Sequence, residues 1–312
     1  MTSLYSDNKV AIILCTYNGE EFIREQLDSI YAQNHKNWEL WVFDDGSTDK
    51  TIEIVKAYQK AWVDKDIHIA KGPRQGFAWN FLCAIEHMPS DANFIAFSDQ
   101  DDIWKTDKLS RALITLQTMP LDKPCLYGSR TALINEAGAA QGLSKYYGRT
   151  PSIKNALVQN IAGGNTMVFN KPMANLLLKI PKNRTFTAHD WLAYQIVMLA
   201  GGAFYYDQHS TVLYRQHQQN LIGSNIAISG KFQRLFKFLT GAKKREYIKN
   251  LNVLAELEID KDEQAELIFE KFNIRRKSGF LKRLQFIIDP IVHRQHKSET
   301  IILVIGLLLG LA

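Results

Sequence analysis

KVAIILCTYNGEEFIREQLDSIYAQ, residues 9–33, opens on a short apolar run rich in branched residues and then changes period. Val10 to Leu14 show no polar alternation, so the run predicts a strand buried on both faces, as in a parallel sheet. Polar residues and Gly19 end it. Phe22, Ile23, Gln26, Leu27, Ile30 and Tyr31 then recur at helical spacing. The unit repeats in WELWVFDDGSTDKT (38–51), a second strand running into a turn, and TIEIVKAYQKAW (51–62), a helix that Ser47, Thr48 or Asp49 is placed to cap. A short strand near 67–70, a helix around 77–87 and the strand NFIAFSD (93–99) follow. Strand and helix alternate three times in about 90 residues, which predicts a doubly wound parallel α/β sheet.

Further on the pattern is less regular. CLYGSRTALIN (125–135) predicts a strand, and LVQNIAGGNTMVFNK (157–171) a loop with a Gly-Gly pair entering another. HDWLAYQIVMLAG (189–201) predicts a helix with a capped start, and AFYYDQHSTVLYRQH (203–217) a strand or hairpin. GSNIAISG (223–230) is the linker candidate, so the expected domains are 1–228 and a helical, basic extension at 229–312.

The net charge of +6 is concentrated in that extension, in KFQRLFKF (231–238), GAKKREYIK (241–249) and IRRKSGFLKR (274–283). Phe232, Leu235, Phe236 and Leu239 interleave with Lys231, Arg234 and Lys237, and the mixture recurs in GFLKRLQFIIDPIVHR (279–294). Basic amphipathic helices of this kind bind anionic membrane surfaces. The plainer alternative is a helical cap whose cations are merely solvated. Nucleic acid is not expected, because no recognition motif accompanies the charge. IILVIGLLLGLA (301–312) falls short of the roughly 20 apolar residues that span a bilayer. MTSLYSDNK lacks the apolar core of a signal peptide. Cys15, Cys83 and Cys125 form no CxxC pair, and Cys15 and Cys83 lie in apolar runs. Buried reduced thiols in a cytoplasmic protein are therefore expected.

Three polar clusters fall at predicted strand ends: Thr16-Tyr17-Asn18, Asp44-Asp45-Gly46-Ser47 and Asp99-Gln100-Asp101-Asp102. In open α/β sheets ligands bind beyond those ends. One acidic turn is usually a helix cap, but three can converge on one crevice. Packed carboxylates repel and raise one another's pKa unless a cation neutralises them. Hard oxygen ligands of this kind suit Mg²⁺ or Mn²⁺ bridging to substrate phosphates. The alternative is a negative turn capping a helix that starts near Trp104.

TYNG (16–19), DDGSTD (44–49) and SDQDDIW (98–104) resemble the inverting family 2 glycosyltransferases of GT-A fold. GGNT (163–166), HDW (189–191) and LYRQHQQNLIG (213–223) resemble their bacterial rhamnosyltransferase-like branch. The resemblance covers about residues 8–225 and implies a GT-A, Rossmann-like mixed sheet. By it, Thr16 and Tyr17, with Asn18 beside them, line the nucleotide pocket. Asp45, next to Asp44, accepts the imide N–H of a uracil or thymine ring. Asp99-Gln100-Asp101 takes the DXD position: Asp101 binds Mn²⁺ or Mg²⁺, Asp99 holds ribose or sugar, and Asp102 is an alternative ligand. Asp190 is the general base; otherwise it is only a helix N-cap. Arg215 pairs with the diphosphate and His217 with the metal, or either supports the fold. Asn80 and the Gly163-Gly164 loop shape the pocket. The QxxRW motif of processive members is missing, so one sugar per acceptor is expected. The implied partners are a dTDP- or UDP-sugar donor, dTDP-L-rhamnose foremost, and a lipid-linked saccharide on the inner face of the membrane. A sugar nucleotidylyltransferase is the rival, but CTYNGEEF lacks the Gly-rich basic phosphate loop such enzymes need.

Overall fold

The computed structural model describes residues 8–217 and 242–311 and divides into two compact units. One comprises Met1–Tyr146, Ala162–Leu178 and Ala203–Asn220; the other comprises Tyr147–Ile161, Lys179–Gly202 and Leu221–Ala312. The two interleave along the chain. The boundary expected at 228, the linker 223–230 and the amphipathic stretch 231–239 lie outside the described residues.

The first unit is a mixed nine-stranded sheet, and its first four strands are β1 (Val10–Thr16), β2 (Trp38–Asp44), β3 (Ile67–Lys71) and β4 (Phe94–Ser98). They run parallel in the order β3-β2-β1-β4. Every residue of β1 is buried, as its unbroken apolar run requires. Helix α1 (Ile23–Tyr31) lays Ile23, Leu27 and Ile30 into the core. Helix α2 (Thr51–Ala61) adds Ile54 and Val55. Its expected cap is supplied from one step before the N-cap residue Lys50: Asp49 Oδ1 accepts from Thr51 N at 3.0 Å. Helix α3 (Phe77–Ile85) completes the third repeat.

The parallel reading ends at β4. β5 (Ile103–Trp104) is a two-residue strand, where a helix start was the alternative, and helix α4 (Lys108–Leu116) begins four residues later. Then come β6 (Cys125–Asn135), β7 (Ala140–Leu143), β8 (Val168–Asn170), helix α6 (Lys171–Leu177) and β9 (Ala203–Gln216). The three-residue β8 enters antiparallel between β4 and β6, which restores β6 to the direction of β1. β9 runs parallel to β6 as one strand of 14 residues. Register shifts opposite Ser129 to Thr131 absorb its extra length as bulges, so no hairpin is needed. The ends of β1, β2, β4 and β9 therefore share one edge of the sheet. The cysteines are free; Cys15 and Cys125 are buried as expected, whereas Cys83 is half-buried.

The second unit is helical. It contains α5 (Ile153–Ala156), α7 (His189–Leu199), α8 (Ala242–Glu256), α9 (Glu263–Lys277), α10 (Phe280–Arg283), α11 (Gln285–Ile288) and α12 (Lys297–Leu309). Helix α7 is buried almost all round, which explains its apolar composition. Its N-cap is Ala188, which makes no side-chain cap bond, so the capped start is not observed. The basic stretch 279–294 forms only the one-turn helices α10 and α11, then leaves helical geometry at Asp289 before Pro290. No helix among the described residues is long and apolar enough to cross a membrane.

Candidate active site

Register brings the polar strand ends together before any side chain is considered. Thr16 pairs with Asp44 across β1 and β2, and Leu14 pairs with Ser98 across β1 and β4. Asp44 then organises its own turn. Its carboxylate accepts from Thr16 Oγ1 at 2.9 Å, Ser47 N at 2.9 Å, Gly46 N at 3.1 Å and the Ser47 hydroxyl. Gly46 is needed because its φ is +105°.

The β1–α1 loop is tied to this turn. Asn18 adopts φ +47°, a region that asparagine tolerates, and its N–H donates to Ser47 Oγ at 2.8 Å. Its Oδ1 accepts from Thr48 N at 2.9 Å. Gln100 joins the same loop to the acidic loop. It accepts from Tyr17 N at 2.9 Å and donates to Tyr17 O at 2.9 Å, the pairing one strand makes with another. The Gln100 amide occupies the space a Cβ at Gly19 would need. Tyr17 itself is 58% exposed and free to meet a ligand.

Asp45 faces the β3–α3 loop, where it accepts from Arg74 N at 2.5 Å and Gly76 N at 3.0 Å. Asn80 lies beside it, buried, with Nδ2 donating to Phe43 O at 2.9 Å. Gly72 fits between them. A Cβ there would stand 2.5 Å from Asn80 Oδ1 and 2.8 Å from Asp45 Oδ1. Both neighbours are pinned, so Gly72→Ala must displace the loop that positions Asp45. We expect a stability loss of about 1–3 kcal/mol, the usual cost of overpacking, read as a lowered urea midpoint.

The four residues of the acidic loop part company. Asp102 is fully buried, accepting from Asn165 Nδ2 at 2.5 Å and Arg215 N at 3.2 Å. Burial, then the charges of Asp101 and Asp99, push its carboxyl well above the ordinary carboxylate range. Asp101 keeps its side chain 20% exposed, and its Oδ2 lies 2.8 Å from His217 Nε2. Arg215 spans the underside of the loop with its guanidinium sealed from solvent. Nε donates to Asp101 O at 3.0 Å, one terminal nitrogen to Glu136 O at 2.7 Å and the other to Glu25 Oε2 at 2.8 Å. The Phe22 ring packs against both neighbours: its centroid is 4.7 Å from the Arg215 guanidinium carbon and 5.0 Å from the His217 ring centroid.

The structure thus brings together Thr16, Tyr17, Asn18, Asp44, Asp45, Gln100, Asp101, Arg215 and His217, with Asp99 in the same loop. It adds partners that the sequence reading missed. Asn165 could have been found, since it is the polar residue of GGNT. Lys108 could also have been found, because it shares the buried face of α4 with Ala112 and Leu116. It is fully buried with its ammonium 3.9 Å from the Trp104 ring centroid. Burial lowers its pKa to about 7 against the pull of Asp102 and Asp99. Glu25 carries no local signal, as it looks like any charge in a first helical turn.

Asp190 belongs to the second unit. It is buried in the first turn of α7, with Oδ1 accepting from Trp191 N at 2.6 Å. Trp191 is fixed by Nε1 donating to Ala156 O at 2.7 Å and by an edge contact with Tyr247. Burial pushes the His189 imidazole down to about 3, so it stays neutral at physiological pH. Asn250 on α8 secures the approach to α7, accepting from Thr187 N and donating to Gln195 Oε1, each at 2.9 Å.

Asp101 and His217 are the described residues that could hold a divalent cation in the first unit. Among the described residues no group of three or more His, Cys, Asp or Glu converges on a point. A Mg²⁺- or Mn²⁺-type ion that keeps waters and shares substrate phosphates needs only one or two protein ligands. Two adjacent ligands at about 2.1 Å from an octahedral ion stand about 3 Å apart. Asp101 Oδ2 and His217 Nε2 already stand at 2.8 Å.

The sequence profile of glycosyl transferase family 2 matches residues 11–174, which spans β1 through α6. The chain belongs to glycosyl transferase family 2. It is 30% identical over 251 residues to the dTDP-rhamnosyl transferase RfbG of Shigella flexneri, covering 78% of this chain and 85% of that one. It is 32% identical over 109 residues to the UDP-Glc:alpha-D-GlcNAc-diphosphoundecaprenol beta-1,3-glucosyltransferase WfaP of Escherichia coli, covering 35% of this chain and 41% of that one. The mannosyltransferase PcManGT of Pyrobaculum calidifontis, solved with GDP-Man and Mn²⁺, superposes with a TM-score of 0.53 at 16% identity. That match covers 97% of this chain and 85% of PcManGT, and it shows a shared fold. The protein is therefore a glycosyltransferase of GT-A-like fold, and the nucleotidylyltransferase reading is set aside.

Proposed function

We propose that the enzyme moves one sugar, with inversion, from a nucleotide donor to a lipid-linked saccharide during cell-surface polysaccharide assembly. dTDP-L-rhamnose is the donor we favour. The observation that carries the proposal is the gathering of Asp45, Tyr17 and the Asp101–His217 pair at one sheet edge in a family 2 chain. The likeness to a dTDP-rhamnosyl transferase supports the donor, and the likeness to an enzyme acting on a diphosphoundecaprenol saccharide supports the lipid carrier. The site is a cytoplasmic one on this reading, with the protein peripheral on the inner membrane face.

In the proposed reaction the acceptor hydroxyl oxygen bonds to the anomeric carbon as the bond to the nucleoside diphosphate breaks. The bonding pair leaves with the diphosphate, and the hydroxyl proton passes to the Asp190 carboxylate. Asp45 accepts the imide proton of the base, and the exposed ring of Tyr17 packs beside the nucleoside. Asp101 and His217 would hold Mn²⁺ or Mg²⁺, which supplies positive charge to the departing diphosphate. We assign Arg215 to positioning: its donors are engaged by Glu25, Glu136 and Asp101, so it fixes the acidic loop and leaves phosphate binding to others.

A panel of dTDP-rhamnose, UDP-glucose, UDP-N-acetylglucosamine and GDP-mannose, each with Mn²⁺, tests the donor through thermal unfolding. A ligand at 100 times its dissociation constant stabilises by about 2.7 kcal/mol, so the true donor should give the largest rise in midpoint. Greater stabilisation by a UDP-sugar would favour the second reading, a UDP-hexose or UDP-N-acetylhexosamine transferase, for which the Asp45 carboxylate is equally suited. An equal rise with GDP-mannose would show that the pocket does not select a pyrimidine base.

A further inference from the structure

Among the described residues the helical unit carries an exposed apolar surface. Helix α12 is apolar on two opposite sides. Leu303, Gly306 and Leu307 are buried on one, while Ile301, Ile302, Ile305 and Leu309 are 49–62% exposed on the other. At 100° per residue those four exposed side chains fall within about a third of the helix circumference. A helix apolar all round is normally enclosed by protein or lipid. The helices packed against α12 continue the theme, for Leu281 on α10 is 80% exposed and Ile288 on α11 is 82% exposed.

Charge identifies the occupant. Residues 271–297, which hold α10, α11 and their flanks, contain eight lysine and arginine residues against one aspartate, more than the whole chain's net charge of +6. Lys277 and Lys282 are exposed within that stretch. Arg275, by contrast, is committed to Asp289 at 2.6 Å. Free cations beside exposed isoleucine and leucine match an anionic lipid surface, with headgroups for the lysines and acyl chains for the apolar residues. Helix length gives the orientation. Leu311 N donates to Gly306 O at 2.8 Å and Gly310 turns at φ +71°, a motif that stops the helix. Thirteen residues at 1.5 Å each reach about 20 Å, short of the roughly 30 Å hydrocarbon core.

We infer that α10, α11 and α12 form a bilayer-docking face, lying in the plane of the membrane with Leu281, Ile288, Ile301, Ile302, Ile305 and Leu309 inserted among anionic lipids. This rests on the peripheral placement proposed above and names the surface responsible.

Co-sedimentation of the full-length protein with phosphatidylcholine vesicles, with and without phosphatidylglycerol, is the test. The wild type should bind the anionic vesicles and release in high salt. The double variant Ile288→Glu and Ile302→Glu should bind about tenfold more weakly or worse, as expected when an isoleucine leaves lipid. Each of Lys277→Glu and Lys282→Glu should weaken binding roughly fivefold or more, and these decide the matter should the isoleucine variant fail to fold. Absence of wild-type binding, or unchanged binding in both sets, overturns the inference. So does a wild-type dimer that the isoleucine variant breaks, which would make a second copy the occupant. Calorimetric nucleotide binding by the same variants, expected to be unchanged, keeps a failure here separate from a failure of the sugar-transfer reading.

Discussion

Asp101→Ala should leave a folded protein with transfer reduced on the order of 10³-fold, together with loss of Mn²⁺-dependent affinity for nucleoside diphosphate. The magnitude follows from removing several kcal/mol of charge stabilisation at about 1.4 kcal/mol per decade of rate. Two structural facts make Asp101 the sensitive position. It is the partly exposed carboxylate that reaches His217, and its backbone carbonyl is held by Arg215, so its aim is fixed by groups the substitution leaves in place. Asp102→Asn, one residue along, is the contrast. Its side chain faces Asn165 and the β9 backbone, so that variant should lose stability more than nucleotide affinity. Calorimetric titration of both variants, with Mn²⁺ and then with EDTA, separates the roles. Wild-type behaviour of Asp101→Ala, or full wild-type activity in excess EDTA, would remove the metal from the proposal.

That contrast also marks where the sequence stopped being informative. Spacing placed three polar clusters at strand ends, and the parallel order β2-β1-β4 makes those ends neighbours. Period and apolar runs sufficed there, because a strand buried on both faces has an unambiguous composition. Spacing did not tell Asp101 from Asp102. The difference depends on Asn165 and on β9, which lie 63 and 113 residues away in the chain. The same holds for Arg215, whose Glu25 partner is 190 residues distant. The mixed half of the sheet was obscure for a related reason. A three-residue strand such as β8 has too few positions to show a period, yet it sets the direction of everything after it. In the C-terminal helices the composition announced lipid-like apolarity, but only tertiary packing distinguishes the covered side of α12 from the exposed one.

Asp190→Asn should lower turnover by about 10²–10⁴-fold, the usual contribution of a general base, while leaving donor affinity close to that of the wild type. The substitution is conservative in shape. The amide oxygen can still accept from Trp191 N, and the tryptophan stays anchored to Ala156 O, so the first turn of α7 should persist. What disappears is the capacity to take a proton. Asp45→Asn makes the opposite cut. Its carboxylate uses both oxygens, one on Arg74 N and one on Gly76 N. An amide must turn its NH₂ toward one of those N–H groups, so the loop shifts and nucleotide affinity falls, with the proton-transfer step untouched. Single-turnover rates at saturating donor, paired with calorimetric binding of nucleoside diphosphate and Mn²⁺, resolve the two. If Asp190→Asn lost nucleotide binding, the residue would move from the base role to the donor pocket or the fold. Undiminished turnover would leave it as a first-turn carboxylate that satisfies the start of α7 and nothing more. A slow Asp190→Asn beside a weak-binding Asp45→Asn would assign proton acceptance to the helical unit and base recognition to the sheet, each carried by one carboxylate.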